Sequence, residues 1–228
     1  MTSAGATAAP DGVASVPAAG LVRLRELASE SAFEPAWDMF YFLRHGQTAR
    51  NLQKIFQGPE EPLSARGIGQ AQVAAALLAE HRLASIICSD MPRAIMTARI
   101  VLQAQSGLPT PKLREQASLR ERNFGALIGT SSRGLDWDCA PDNGETLEQF
   151  IDRTRRALIA ALSDPTPVLV VAHGGTLHVL AALLRVSTDD GLLANARPMR
   201  FFRPLNGPRS WSVEPLGEVA DPDSTQIS

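Results

Sequence analysis

The sequence predicts an α/β fold, a three-layer α/β/α sandwich around a mostly parallel central sheet. Three observations carry this prediction. Short, uniformly apolar runs recur, at Met39-Phe40-Tyr41-Phe42-Leu43, Ala84 to Cys88 and Val168-Leu169-Val170-Val171-Ala172, and runs without alternation suit strands covered on both faces. Helical stretches separate them, so strands and helices alternate. The apolar runs also end on polar turns, Arg44-His45-Gly46, Ser89-Asp90 and His173-Gly174-Gly175. In open sheets of this kind, ligands gather at the carboxyl ends of the strands.

Residues 1–20 are rich in small side chains and bury too little to order themselves, so a flexible tail is expected. From Leu21 to about Ser31, leucines at 21, 24 and 27 have helical spacing, and residues 21–38 read as an extension before the main domain. The first strand ends at Arg44. Ser64 then caps a helix to about Glu80. The second strand leads into a helix with Pro92 in its first turn, a favoured place for proline, lasting to about Gln105. Lys112 to Glu115 is a shorter strand. Residues 121–145, with five punctuating Gly and Pro residues, form a long irregular loop, and such loops usually carry function. A helix from Glu145 to about Leu162, the most apolar strand at Val168 to Ala172 and a helix from Thr176 to about Arg185 follow. Met199 to Arg203 and Ser210 to Glu214 form a last strand pair. The main domain is therefore 39–216, with a tail at 217–228.

Composition narrows the function. The chain has 228 residues, 44% of them hydrophobic, and a formal charge of −2, so no global basic field draws it to nucleic acid or an anionic membrane. Stacking residues are few, with one Tyr and three Trp. No apolar run is long enough for a spanning helix, and the N-terminus lacks the basic start and apolar block of a signal peptide. Cys88 and Cys139 fit neither a disulfide framework nor a zinc motif. A cytoplasmic setting is expected. The oligomeric state is left open, a homo-oligomer included.

Of four histidines, His45 and His173 occupy matching positions, each following an apolar strand and preceding glycine. If the two strands are parallel neighbours, both imidazoles meet at one sheet edge. Arg44 adjoins one of them, and the second strand delivers Arg93 in the next helix's first turn. Such a cluster is a local cationic pocket in a near-neutral chain. Arginine forks bind phosphate oxygens, and glycine-rich helix starts add backbone N–H donors. A neutral imidazole can attack phosphorus and divide one difficult step into two. The leaving oxygen then needs an acid, which the region of Glu121 could supply. A metal site on His45 and His173 is the alternative, disfavoured because the neighbouring arginines repel a cation. His81, at a helix C-terminus, and His178, five residues past His173, read as structural.

These segments also resemble the histidine phosphatase superfamily, or phosphoglycerate mutase-like family. The resemblance rests on Leu43-Arg44-His45-Gly46-Gln47-Thr48 with Asn51, Phe56-Gln57-Gly58 with Pro62-Leu63-Ser64, and Ser89 to Ala98 around Arg93. It continues through Leu119 to Gly125 around Glu121, Asn143-Gly144-Glu145-Thr146 with Arg153, and Val171 to Thr176 around His173. The segments stand in the family's order over roughly residues 39–185. The resemblance implies a phosphoglycerate mutase-like fold and no cofactor or metal. His45 would be the phosphorylated nucleophile, with Arg44, Arg93 and His173 holding the phosphoryl group and Glu121 protonating the leaving group. Asn51 and Gly174 would assist the phosphate pocket, while Thr48, Gln57, Gly58, Arg122 and Phe124 would lie near the substrate. The implied partner is a small-molecule phosphate ester.

The chain departs from the family where relatives read Gly-x-x-Glu-Gly. Here the residues are Gly125-Ala126-Leu127-Ile128-Gly129-Thr130, without the second carboxylate. The segment from Thr130 to Cys139 is also short and without lysine, unlike the basic insert of the glycolytic mutases. Hydrolysis of a phosphate monoester is therefore expected ahead of mutase transfer, with a non-catalytic phospho-ligand binding module as the third reading.

Overall fold

The computed structural model describes residues 19–106, 109–188, 191–206 and 210–217. The expected tails at 1–20 and 217–228 thus fall almost wholly outside the described residues. Within them the fold is the expected α/β/α sandwich, with a six-stranded sheet in the order β3-β2-β4-β1-β5-β6. The strands are β1 (Met39–Arg44), β2 (Ser85–Cys88), β3 (Lys112–Glu115), β4 (Val168–Ala172), β5 (Pro198–Phe202) and β6 (Ser212–Pro215). The first four run parallel; β5 runs antiparallel to β1, and β6 antiparallel to β5.

The two faces separate by residue parity, as pleated strands require. Tyr41 and Leu43 of β1 and Leu169 and Val171 of β4 pack with α3 (Ala65–Ala79) and α4 (Pro92–Ala104). Phe40, Phe42, Val168 and Val170 face α1 (Leu21–Ser29), α5 (Leu147–Ala161) and α6 (Gly174–Leu184). Both faces of β1, β2 and β4 are buried, which explains their unbroken apolar composition. The 21–38 extension does contain a helix: α1 buries Leu21, Leu24 and Ala28, and its main neighbour is α6. Among the described residues no helix is long and apolar enough to cross a membrane.

Two local expectations change. The helix after β4 begins at Gly174, two residues earlier than expected, because His173 takes the extended N-cap conformation and both glycines join the helix. A short helix α2 (Ala49–Gln53) also follows β1. Thr48 and Asn51 cap it reciprocally, each side chain bonding the other's backbone N–H, and five residues are too few for periodicity to reveal.

Pairing β4 directly with β1 decides where the site lies. The register sets Arg44 opposite Ala172, so His45 and His173 leave the sheet side by side. The ladder continues one step further, as the His45 N–H donates to the Ala172 carbonyl at 3.0 Å and that of Ser89 to Val171 at 3.0 Å.

Candidate active site

The ends of β1, β2 and β4 open into a cavity of about 250 Å³, bordered by Arg44, His45, Arg93, Glu121 and Gly174. The His45 and His173 rings stand 5.1 Å apart between centroids. His45 Nδ1 lies 2.7 Å from the Gly46 carbonyl oxygen. A carbonyl only accepts, so Nδ1 carries the proton and Nε2 keeps the lone pair. Burial, and then the charges of Arg93 and Arg44, hold the ring's pKa well below the ordinary histidine value. His45 is therefore neutral near pH 7 and nucleophilic at Nε2.

The sequence holds His45 through its neighbours. The Gly46 N–H donates to Thr97 Oγ1 at 3.1 Å, and that hydroxyl donates to the Arg93 carbonyl at 2.8 Å, which ties β1 to α4. A Cβ on Gly46 would lie 3.1 Å from the Cα of Gly67 and overlap its carbonyl oxygen, so the start of α3 approaches this turn only because both positions are glycine. Asn195 Nδ2 donates to the His45 carbonyl at 3.0 Å and to Asn51 Oδ1 at 3.3 Å.

Around His45 stand groups suited to an anion. Arg93 donates to the Gly58 carbonyl at 3.0 Å; burial pulls its pKa down to about 10, and it stays cationic near neutrality. Arg44 is anchored on the Leu193 carbonyl. The Nε atoms of both arginines and both ring nitrogens of His173 are buried without a protein partner. Leaving such groups unsatisfied costs about 1–3 kcal/mol each, and an anion could accept from the two arginine N–H groups and from the one protonated ring nitrogen of a neutral His173. Burial keeps His173 neutral, with its pKa also well below the ordinary value. The N-terminus of α6 adds partial positive charge.

Glu121 is held by two backbone donors, its Oε1 accepting from the Arg122 N–H at 3.0 Å and its Oε2 from the Gly175 N–H at 3.0 Å. A Cβ on Gly175 would overlap Oε1 and sit 3.0 Å from the Phe150 ring, so this glycine makes room for the carboxylate. Arg153 buckles the loop behind it, bridging both oxygens of Glu145 at 2.7 Å and donating to the carbonyls of Ser118 and Arg120 at 2.9 Å. Burial opposes ionisation of Glu145, but Arg153 and the Asn123 N–H outweigh it and hold its carboxyl below the ordinary value.

The remaining expected residues divide. Gln57, Phe124 and Asn51 border the cavity. Thr48 is buried beneath it, donating to Gln57 Oε1 at 2.8 Å. Gly58 contributes its carbonyl. Arg122 borders the neighbouring cavity beyond Glu121, and its guanidinium donates to the carbonyls of Trp137, Cys139 and Glu145. The buried loop needs a donor for those oxygens, and Arg122 is that donor.

Several bordering residues carried no sequence signal. Leu135, Trp137 and Ile55 form an apolar wall with Phe56 and Phe124, whose rings are 4.5 Å apart. His178, read as structural, also borders the cavity, its ring 5.3 Å from Trp137. It lies four positions past Gly174, the true start of α6, and that spacing sets both on one helical face.

Comparison with known proteins agrees with this geometry. The family model of the histidine phosphatase superfamily (branch 1) matches residues 40–195. The adenosylcobalamin/alpha-ribazole phosphatase of Salmonella typhimurium is 34% identical over 161 residues, covering 63% of this chain and 78% of that protein. The 2,3-bisphosphoglycerate-dependent phosphoglycerate mutase of Bradyrhizobium sp. is 29% identical, covering 68% and 84%. The chain spans only 41% of the length of another relative, the agropine synthesis reductase of Rhizobium rhizogenes. Among solved structures, the mycobacterial glucosyl-3-phosphoglycerate phosphatase complexed with VO3 superposes with a TM-score of 0.62 at 27% identity, over 81% of this chain and all of that one.

Proposed function

The chain belongs to the histidine phosphatase superfamily, and from that premise we propose that it hydrolyses a small-molecule phosphate monoester through a phosphohistidine on His45, without a metal. The observation that carries this is the tautomer of His45: Nδ1 is committed to the Gly46 carbonyl, and Nε2 is left for the cavity that also holds Arg44, Arg93 and Glu121. In the first step an Nε2–P bond forms and the ester P–O bond breaks, while Glu121 gives a proton to the leaving oxygen. Arg44, Arg93, His173 and the α6 N-terminus stabilise charge on the transferring group. In the second step water attacks phosphorus, Glu121 takes its proton, and the P–N bond breaks.

Hydrolysis is favoured over mutase transfer by the pairing of the remaining cations nearby. Arg120 pairs with Asp90, Arg153 with Glu145, and Arg122 with loop carbonyls. Arg44 and Arg93 suit one phosphoryl group, whereas a bisphosphorylated intermediate needs cations for two. Arg133 of the wall loop is exposed and is the cation that the mutase reading would have to use. The mutase relative keeps the second reading in view, and isomerisation of 3-phosphoglycerate with a bisphosphate primer, faster than phosphate release, would select it. A cytoplasmic setting fits the free cysteines, of which Cys88 is buried with its thiol pushed up to about 12.

The test is phosphate release from a panel of monoesters in the presence of chelator, with His45→Ala as control. We expect acid-labile phosphate on the wild type during turnover and a loss of about 10⁴-fold or more in the variant. Equal activity in His45→Ala at equal purity, or dependence on a metal, would overturn the proposal.

A further inference from the structure

We propose that α1, with its entry at Ala19 and Gly20, tunes substrate choice by holding Trp137, and that Trp137 selects phosphate esters of a planar, apolar alcohol. The inference rests on the phosphatase reading above and concerns the other end of the same cavity. The family match begins at residue 40, so α1 lies ahead of the shared core.

The observations connect α1 to the cavity in three steps. First, the entry of α1 is joined to the wall loop by backbone, as the Trp137 N–H donates to the Ala19 carbonyl at 2.8 Å. Gly20 has φ +75°, and a Cβ there would lie 2.6 Å from Asp136 Oδ1 and 2.8 Å from the Trp137 nitrogen. The two backbones therefore meet where no side chain fits. Second, α1 is itself fixed, with Leu24 and Ala28 fully buried. Third, the Trp137 carbonyl is held by Arg122, and its ring packs edge-on to His178 at 5.3 Å and Phe124 at 6.3 Å. Trp137 is thus clamped at N–H, carbonyl and ring while bordering the cavity of His45.

The chemistry of that wall names the ligand. Phe56, Phe124 and Trp137 supply ring edges and faces, and Leu135 and Ile55 supply aliphatic surface. Aromatic pairs in such geometries add attraction beyond that of burial alone. Asn51, Gln57 and Ser132 border the other sides of the cavity, so the planar group is placed against the aromatic wall and polar substituents would face away from it. The neighbouring cavity beyond Glu121, of about 410 Å³, is bordered by charged residues such as Arg120 and Arg153 but also by the apolar Met91 and Ile128, so it is the rival site for an apolar group, and Ile128→Ala tests it.

The experiment compares two ligands on the full chain. Binding of 1-naphthylmethylphosphonate and propylphosphonate is measured by calorimetry, alongside kcat/KM for 1-naphthyl phosphate and glycerol 2-phosphate. We expect the wild type to prefer the naphthyl ligand about tenfold and Trp137→Leu to cut that ratio about fivefold. Gly20→Val, which alters no residue bordering the cavity, should cut it about threefold with propylphosphonate binding little changed, and Ile128→Ala should leave the ratio intact. If Gly20→Val does not fold by circular dichroism, Gly20→Ala takes its place. An unchanged ratio in the folded Gly20 variant, even with a lowered Tm, would overturn the role of α1. A ratio that follows Ile128→Ala instead of Trp137→Leu would overturn the aromatic subsite. Phosphonate binding needs no turnover, so a wild type that selects naphthyl ligands but releases no phosphate would sink the phosphatase reading and leave this one standing.

Discussion

One end of the cavity is made of strand ends and the other of a loop. At the strand end, His45 and His173 follow directly on paired strands, and their positions are set by the β1–β4 register. At the loop end, proposed above to hold the organic part of the ester, Phe124, Leu135 and Trp137 come from an irregular stretch whose shape depends on Arg122, Arg153 and α1. A sheet edge fixes geometry through many cooperative backbone bonds, while a loop takes its geometry from a few side-chain anchors. On the proposed function, the reaction falls to the rigid part and the choice of substrate to the part that can vary.

The comparison predicts that damage at the two ends differs in kind. The largest effect expected, short of removing the nucleophile, is Gly175→Ala. The added methyl overlaps the Glu121 carboxylate and meets Phe150 at 3.0 Å, so kcat should fall about 10²-fold for esters that need a protonated leaving group. The loss should shrink for nitrophenyl phosphate, whose leaving group needs no acid. Equal losses on both substrates would separate Gly175 from Glu121.

Arg122→Met acts at the loop end. It removes the donor from three loop carbonyls, and about 2–3 kcal/mol of stability should be lost in denaturant titration. KM should rise more for bulky esters than kcat falls. A uniform drop in kcat with KM unchanged would mean that the two ends are not separable.

Acid should weaken the fold through the same cavity. His45, His173 and His178 are all held below the ordinary histidine pKa, chiefly by burial, His178 to about 4. They are neutral when folded and take up protons in the unfolded chain below about pH 6.5, so their stability is full above that pH and falls as pH drops. His178→Asn should remove at most about 3 kcal/mol of the loss between pH 7.5 and pH 4. Chemical denaturation at the two pH values reads it, and an acid limb as steep as that of the wild type would refute it.

The smallest effect belongs to Gly58→Ala. The carbonyl that holds Arg93 is retained, and the new Cβ would meet only Ile128 Cγ2, at 3.8 Å. We expect kcat/KM within about twofold of wild type. A larger loss would mean that the backbone at Gly58, and not the carbonyl alone, positions Arg93.

Much of the fold was legible in the sequence because its signals are local. Unbroken apolar runs marked β1, β2 and β4, Ser64 marked the start of α3, and Pro92 that of α4. The gathering of side chains at the strand ends was equally legible, since His45, Arg93 and His173 lie within a residue or two of recognisable strand or helix ends. Arg122 illustrates the limit. A cation beside the candidate acid reads as a substrate contact, and only the folded loop shows that its guanidinium also bonds three loop carbonyls. His178 illustrates another: its face was counted from His173, whereas the helix starts one residue later.

What the sequence by itself determined is the order of elements, the burial of the central strands and the set of ionisable groups at their ends. Periodicity and capping act over a few residues, so these are written locally. Only the tertiary structure decided that β4 lies against β1, that His45 keeps Nε2 for the cavity, and that Ala19 holds Trp137 from 118 positions away in the chain. Those outcomes depend on hydrogen bonds and packing between residues far apart in sequence, and such contacts exist only once the sheet has formed.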